Sequence, residues 1–264
     1  MASFSSRRDG DPVGCLRASG AKGTSNGEEE LDPLRAPEDL RGKLAYACRI
    51  LAANGQNDAI YGHVTHRLPG AESFWMKPAG MGLEEITPET LIRMNLDGEV
   101  LEGGFPRHLE YPIHTEIFRA RPKVTCVIHT HPLYSIAFAA TGQPLRAISH
   151  EGCMFTPPHV PHFTLTSNLI VTRQLGEAVA AAMGDVTACY LVNHGVVVAA
   201  ENIELAVVAA LNLERASQLQ LLASASNQHL RYTSDEECLE KRKMYHPEAI
   251  RNTWNYYCRR IGPL

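Results

Sequence analysis

Two histidines separated by one residue, His129 and His131, carry the strongest chemical signal in this 264-residue sequence. They end the apolar run 124–128, which predicts a short buried strand. Because side chains alternate along a strand, both imidazoles point to the same side. Pro132 follows at once and predicts a helix over 133–140. The pair therefore lies where a strand leads into a helix, a place where the active sites of α/β proteins collect.

Two further residues complete a candidate metal site. Glu110 is expected at the N-terminus of a helix, because Pro112 is tolerated only in a first helical turn. His194 follows the strand-like run 189–193 and precedes Gly195, which lets the backbone turn sharply. Three histidines and a carboxylate suit zinc, iron(II) or manganese and leave positions open for a substrate. Taken alone, a His-x-His pair is also compatible with a structural role.

The remaining pattern predicts one folded domain behind a polar tail. Residues 1–35 are rich in Ser, Gly and charge, which is typical of disorder, and 36–264 are assigned to a single domain. Periodicity predicts helices near 40–52, 109–121, 175–183 and 203–224 and strands near 62–68 and 74–76. Thr87 followed by Pro88 indicates a short helix reaching about Met94. No element is assigned beyond Tyr232.

Composition excludes several classes of function. The formal net charge is −4 and no basic patch with interleaved aromatics stands out, which argues against a nucleic-acid partner. No apolar run reaches the ~18 residues of a membrane span, and the N-terminus lacks the apolar core of a signal peptide. The seven cysteines are scattered without a C-x-x-C motif, which favours a reduced, cytoplasmic protein.

Six segments, in order and at compatible spacing, make the region 37–222 resemble the class II aldolase/adducin superfamily. They are GHVTHR (62–67), MKPAGMG (76–82), ITPETLIRMNLDGEVLEGG (86–104), EYPIHTEIFRARP (110–122), VIHTHPLYSIAFAATG (127–142) and YLVNHGVVVAA (190–200). The resemblance implies an α/β fold with a central mixed or antiparallel sheet between layers of helices. It also implies a homotetramer with active sites at subunit interfaces.

The resemblance gives roles to the candidate site. In the family's aldolases one divalent metal per subunit is held by histidines matching His129, His131 and His194. The carboxylate matching Glu110 is both a metal-site residue and the catalytic acid/base. His114, one helical turn beyond Glu110, is either a partner of this site or an ordinary helix-face histidine.

Departures from the family pattern point away from sugar phosphates. The asparagine that helps to hold phosphate is replaced by His63, and the two serines before the catalytic acid are replaced by His108 and Leu109. Sequences with this change resemble pyridine-dicarboxylate and dihydroxyphthalate decarboxylases and the non-haem iron oxygenases of aminocoumarin biosynthesis. His63, His108 and Lys77 are therefore candidates for orienting a small carboxylate substrate. For Lys77, a hydrogen-bonded loop position is the competing interpretation.

Three functions follow from this comparison. The first is a metal-dependent carbon–carbon lyase, a decarboxylase or an aldolase, acting on a non-phosphorylated and possibly aromatic carboxylate. The second is an iron(II) oxygenase that oxidatively decarboxylates an α-keto or α-hydroxy acid. The third is a non-catalytic, adducin-like interaction module, which would require the metal site to be empty.

Overall fold

One eight-stranded sheet forms the centre of the protein in the computed structural model, which describes residues 39–226 and 228–264. The expected disordered tail 1–35 lies outside the described residues, so its boundary with a single domain remains a prediction. The strands are β1 (His63–His66), β2 (Ser73–Met76), β3 (Ile92–Asn95), β4 (Val100–Glu102), β5 (Cys126–Thr130), β6 (His162–Phe163), β7 (Ala188–Leu191) and β8 (Gly195–Ala200).

The sheet is mixed, with one parallel pair at its edge. Its strand order is β4-β3-β2-β1-β5-β8-β7-β6. Every neighbouring pair is antiparallel except β6 and β7. Strand β5, which carries His129, lies at the centre between β1 and β8. A ligand held at its end can therefore be reached from both neighbouring strands.

Helices cover the sheet. They are α1 (Leu40–Leu51), α2 (Tyr111–Ala120), α3 (Leu133–Ala139), α4 (His150–Cys153), α5 (Arg173–Met183), α6 (Ile203–Ser224), α7 (Asp235–Arg242) and α8 (Pro247–Ile261). The predicted three-layer α/β fold is confirmed. None of the helices among the described residues is long and apolar enough to cross a membrane.

Alternation along β5 divides the core into two halves. Cys126 and Ile128 belong to a buried cluster with residues of α1, α3, α6 and α8. Val127 belongs to a second cluster with residues of α2 and α5 on the opposite face. Since His129 shares the side of Val127, its ring faces the helix layer that contains α2. That layer supplies Glu110.

The helix predicted from Thr87 to Met94 is wrong. Thr90 closes a turn with Thr87 through both its backbone N–H and its hydroxyl, and Ile92–Asn95 then form β3. The side chains of Ile92 and Met94 are buried while Arg93 and Asn95 are half-buried, the alternation of a strand. Residues that could cap a helix thus close a turn here, and pairing with β2 buries Ile92 and Met94.

The C-terminal segment, to which the sequence assigned no element, contains two helices. Ser234 caps α7 by accepting from Glu237 N, and His246 caps α8 with Pro247 as its first residue. Trp254 of α8 is buried in the cluster that contains α1 and α6. The polar composition of this segment hid the amphipathic face that docks α8 onto the core.

Candidate metal centre

The pairing of β1 with β5 brings His63 and His129 together. In the antiparallel register of β1 and β5, His63 lies opposite His129. Directly opposed residues share a face of the sheet, and the two ring centroids are 4.9 Å apart. His131 follows the end of β5, and its ring centroid lies 4.9 Å from that of His129. The sheet register therefore concentrates imidazoles at one end of β5.

The outer nitrogens of His129 and His131 fix their tautomers. His129 Nδ1 lies 3.0 Å from Val196 O, and His131 Nδ1 lies 2.9 Å from Asp58 Oδ2. Because both partners only accept, each Nδ1 carries a proton and donates. The two Nε2 atoms then hold lone pairs, yet they lie 3.1 Å apart. Two lone pairs at this separation repel each other unless they share a cation, so the arrangement suits a bound metal ion.

His194 and Glu110 reach the same point from other elements. His194 Nε2 lies 3.5 Å from Glu110 Oε1, and His129 Nε2 lies 3.7 Å from Glu110 Oε2. Both ring nitrogens of His194 are buried without a hydrogen-bond partner among the described residues. A buried, unpartnered imidazole costs free energy that metal coordination would recover. One nitrogen from each of His129, His131 and His194 lies within 4.8 Å of the others.

Glu110 is ionised at neutral pH. Burial alone would raise the pKa of its carboxyl group, but contact with His194, the nearby His129 and a backbone hydrogen bond lower that pKa to about 2. Ile170 N donates this hydrogen bond to Oε1 over 2.7 Å. The side chain therefore brings a fixed negative charge to three imidazoles, a donor set that suits zinc, iron(II) or manganese.

The turn that presents His194 differs in detail from the expected one. Asn193, not Gly195, adopts the left-handed conformation, with φ of 59°. Gly195 is required for space instead: a Cβ there would lie 2.6 Å from Thr130 O and 2.7 Å from His131 Cδ2. The absent side chain is thus what allows β8 to pass beside the histidine pair.

Gly195→Ala is expected to weaken metal binding and to lower stability by about 1–3 kcal/mol, since overpacking moves β5 and its histidines. Gly104→Ala is the matched control because a Cβ at Gly104 would meet no heavy atom of the described residues within 4 Å, its chain neighbours aside. Zinc titration and urea unfolding of both variants test this expectation. Equal metal affinity in the two variants would contradict it.

Asp58 was missed by the sequence analysis. Its carboxylate orients His131 through the 2.9 Å hydrogen bond. A carboxylate behind a ligating histidine fixes the tautomer and raises the basicity of the ring. Asp58 precedes β1 in a turn closed by Tyr61 N donating to Asp58 O, and no periodic pattern marks it.

Asp58→Ala is expected to reduce zinc affinity by about 10–100-fold, the usual cost of losing such a partner. Asp58→Asn keeps an acceptor oxygen but not the charge, so its zinc affinity should fall by a smaller factor than that of Asp58→Ala. Competition of each variant with a chromogenic zinc chelator measures both values. Unchanged affinity in Asp58→Ala would show that this carboxylate does not support the metal.

A buried chain of side chains continues behind His63. Its Nδ1 lies 2.6 Å from His114 Nε2, and His114 Nδ1 lies 2.8 Å from Thr65 Oγ1. The sequence is compatible with two roles for His114, a partner of the site or an ordinary helix-face residue. The structure places it, fully buried, behind the site. Burial, followed by the charge of His108, lowers the pKa of His114 to about 3, although the nearby Glu110 carboxylate acts in the opposite direction.

Lys77 and His108 form a separate pair. Lys77 is fully buried, and its ammonium group donates to Ile60 O over 3.0 Å and to Pro78 O over 3.3 Å. It also lies 3.2 Å from His108 Nε2, which is itself 3.0 Å from Pro78 O. The two backbone carbonyls take up two of its three N–H donors. Lys77 thus ties loops together behind His108, and burial lowers its pKa to about 8. His108, unlike Lys77, lines the cavity described next.

A cavity of about 220 Å³ opens beside the cluster. Its polar lining includes Arg107, His63, His108, Glu110 and His131, which places a bound molecule next to the candidate ligands. The rest of its wall is largely apolar and is contributed by Ile60, Tyr61, Ala79, Leu109 and Leu169. The site can therefore hold a small molecule with an apolar body at the histidine cluster.

The metal-free protein is expected to lose stability as pH falls from about 6.5 toward 4. Burial lowers the pKa of His108 to about 4 and that of His114 to about 3, so both stay neutral when folded. The unfolded chain protonates them near 6.5 and binds more protons, which favours unfolding by up to about 1.4 kcal/mol per pH unit for each. Urea unfolding in EDTA at several pH values measures the slope. An equal slope in a His108→Gln/His114→Gln variant would contradict this account.

Comparison with known proteins agrees with this geometry. The family model described as the Class II Aldolase and Adducin N-terminal domain matches residues 42–221. An L-fuculose 1-phosphate aldolase from Glaciozyma antarctica PI12 superimposes with a TM-score of 0.75 at 27% identity, covering 87% of this chain and 94% of that one.

Two relatives carry names that bear on chemistry. A 3,4-dihydroxyphthalate decarboxylase from Arthrobacter keyseri is 30% identical over 84% of this chain and 94% of its own length. A 4-hydroxy-3-prenylphenylpyruvate oxygenase/4-hydroxy-3-prenylbenzoate synthase from Streptomyces roseochromogenus subsp. oscitans is 32% identical over 71% of this chain and 69% of its own. With its fold and its motifs, the chain belongs to the class II aldolase and adducin family.

Proposed function

We propose that this protein is a divalent-metal-dependent carbon–carbon lyase, a decarboxylase or an aldolase, acting on a non-phosphorylated carboxylate. The observation that carries the proposal is the cluster of His129, His131, His194 and Glu110 beside a cavity with largely apolar walls. The name and identity of the dihydroxyphthalate decarboxylase support the same reaction class.

The wall of the cavity argues for an apolar or aromatic substrate. A phosphate group needs several hydrogen-bond donors or cations around it, whereas this wall offers the cation of Arg107 among apolar side chains such as those of Leu109 and Leu169. Lys77 does not compensate, because it is buried away from the cavity wall and donates to backbone carbonyls. We therefore propose a substrate with an apolar or aromatic body and a polar end at the histidines.

His129, His131 and His194 would hold the metal ion and Glu110 would add a carboxylate. When bound, the ion supplies a Lewis acid that stabilises negative charge next to the breaking bond. Glu110 would act first as a base, because its low pKa keeps the carboxylate ionised. It would accept a proton from a substrate hydroxyl group and return it to the carbon that loses its substituent. The backbone N–H of Ile170 holds the carboxylate in position for both transfers.

An iron(II) oxygenase is the second candidate, favoured by the relative named as an oxygenase. Three histidines with open positions serve iron as well as zinc. A non-catalytic, adducin-like module is the third and requires that no metal binds. The homotetramer with sites at its interfaces and the cytoplasmic location remain predictions from the sequence.

The reaction is tested by supplying zinc-, manganese- or iron(II)-loaded protein with 3,4-dihydroxyphthalate, 4-hydroxy-3-prenylphenylpyruvate or L-fuculose 1-phosphate. We expect carbon dioxide release from the first without oxygen consumption and no cleavage of the sugar phosphate. Oxygen uptake on the second compound would favour the oxygenase. Cleavage of L-fuculose 1-phosphate would contradict the proposed substrate class.

A further inference from the structure

We propose that His63 is a fixed hydrogen-bond acceptor for a hydroxyl group of the substrate, held in the acceptor tautomer by His114 and Thr65. This inference rests on the proposed function, because it specifies the substrate of the same cavity. It makes the substrate a hydroxylated, preferably phenolic, carboxylate rather than any acid that fits. His63 would determine specificity, and His114 and Thr65 would be positioning residues.

The direction of the buried chain follows from its last member. The Thr65 hydroxyl lies 3.3 Å from Val127 O, which can only accept, and we assign its proton to that hydrogen bond; its oxygen then accepts from His114 Nδ1 over 2.8 Å. The second nitrogen of a neutral imidazole then carries a lone pair. His114 Nε2 therefore accepts from His63 Nδ1 over 2.6 Å. Each hydrogen bond thus determines which nitrogen of the next imidazole donates, and His63 Nε2 is left with a lone pair.

That lone pair faces a second acceptor. His63 Nε2 lies 4.0 Å from Glu110 Oε2, which is beyond hydrogen-bond distance. Both atoms only accept, so a group lying between them must bring a proton. A hydroxyl group can donate its one proton to His63 Nε2, whereas an ether or an ester oxygen brings no proton to either acceptor. Because His63 and Glu110 both line the cavity, a ligand there can place its hydroxyl at this point.

Packing leaves the ring of His63 little freedom to turn over. The ring lies with centroid distances of 4.5 Å to His108, 4.8 Å to His114 and 4.9 Å to His129. Its side chain is almost entirely buried. A flipped ring would break the 2.6 Å hydrogen bond and leave His114 Nε2 without a donor, at a cost of about 1–3 kcal/mol for a buried polar atom. The acceptor is thus built in before a substrate arrives.

The tautomers can be read directly. Long-range ¹H–¹⁵N spectra of zinc-loaded, ¹⁵N-histidine-labelled protein are expected to show His63 and His114 neutral with the proton on Nδ1. Single His63→Gln and His114→Gln variants assign the two signals. A proton on Nε2 of His63 would overturn the inference, since the ring would then be a donor.

Binding tests the role of the acceptor. The probes are 3,4-dihydroxybenzoate and its two monomethyl ethers, titrated calorimetrically into zinc-loaded protein. One of the two ethers should bind about 10-fold more weakly than the parent in the natural protein, the value of one good hydrogen bond. This penalty should vanish in His63→Leu at unchanged zinc content. His114→Gln, which keeps an acceptor for His63, should retain the penalty that His114→Leu loses.

Each other result overturns the inference. An equal penalty in His63→Leu and the natural protein would mean that another group accepts the hydroxyl. Loss of zinc in His63→Leu would make His63 a ligand instead, and failure of the dihydroxy probe to bind would remove the ligand class. A penalty that depends on His63, found in a protein with no lyase activity, would support the acceptor and refute the proposed reaction.

Discussion

Changing His129 to alanine is expected to abolish both metal retention and turnover. His129 is fully buried at the centre of the cluster and is the histidine within 3.1 Å of His131 and 3.7 Å of Glu110. Without it the remaining residues cannot close around an ion. The Lewis acid contributes several kcal/mol, so its loss should reduce turnover roughly 10³-fold or more, at a factor of ten per 1.36 kcal/mol. His194→Ala should have the same effect.

Metal content and activity are to be measured on the same samples, with circular dichroism to confirm folding. His229→Ala, at an exposed position, is the matched control and should keep metal and turnover unchanged. Full activity in either His129→Ala or His194→Ala would refute the assignment of the site. Metal loss without loss of turnover would leave the metal structural.

Glu110→Gln should separate metal binding from proton transfer. The amide oxygen of glutamine can still accept from Ile170 N, so the local structure is retained. The variant loses the charge beside His129 and His194 and cannot accept a proton. We expect metal to remain bound with a reduced affinity and turnover to fall about 10²–10⁴-fold, the range for a positioned general acid or base.

Glu116→Gln is a suitable comparison because Glu116 is a buried acid of α2, the helix that begins directly after Glu110, yet it pairs with Arg119 and Arg173 away from the cluster. Its turnover should stay close to that of the natural protein. Turnover by Glu110→Gln within a factor of three of the natural protein would exclude Glu110 as the group that moves the proton, whatever its effect on the metal.

Regular periodicity explains what could be predicted of the fold. The long helix α6 begins after Asn202 and ends at Ser224, as the apolar repeat and the cap predict. The central strand β5 is marked by five consecutive buried residues. The helix predicted after Thr87 is wrong because the residues that can cap a helix can also close a turn. Pairing between strands favours the turn. In α8 a single apolar stripe was too sparse to be recognised among charges.

The residues of the candidate site also differ in whether a local sequence pattern predicts them. His129 and His131 follow the alternation of one strand, and His194 lies in a turn beside another. Local pattern and the family resemblance therefore sufficed to propose them as metal ligands. The link from Asp58 to His131 and the chain from His63 to Thr65 depend on contacts between elements, which no local pattern encodes. Lys77 shows the reverse: its charge suggested an anion contact, while the fold directs its ammonium group toward backbone carbonyls.

The most direct test of the account is the metal content of anaerobically purified protein, measured by elemental mass spectrometry for the natural protein and His131→Ala side by side. We predict about one equivalent of zinc, manganese or iron per subunit in the natural protein and its loss in the variant. Iron would direct further work to oxygen uptake, and zinc or manganese to carbon dioxide release. No metal in the natural protein, even after loading, would contradict the claim that this cluster is a metal centre.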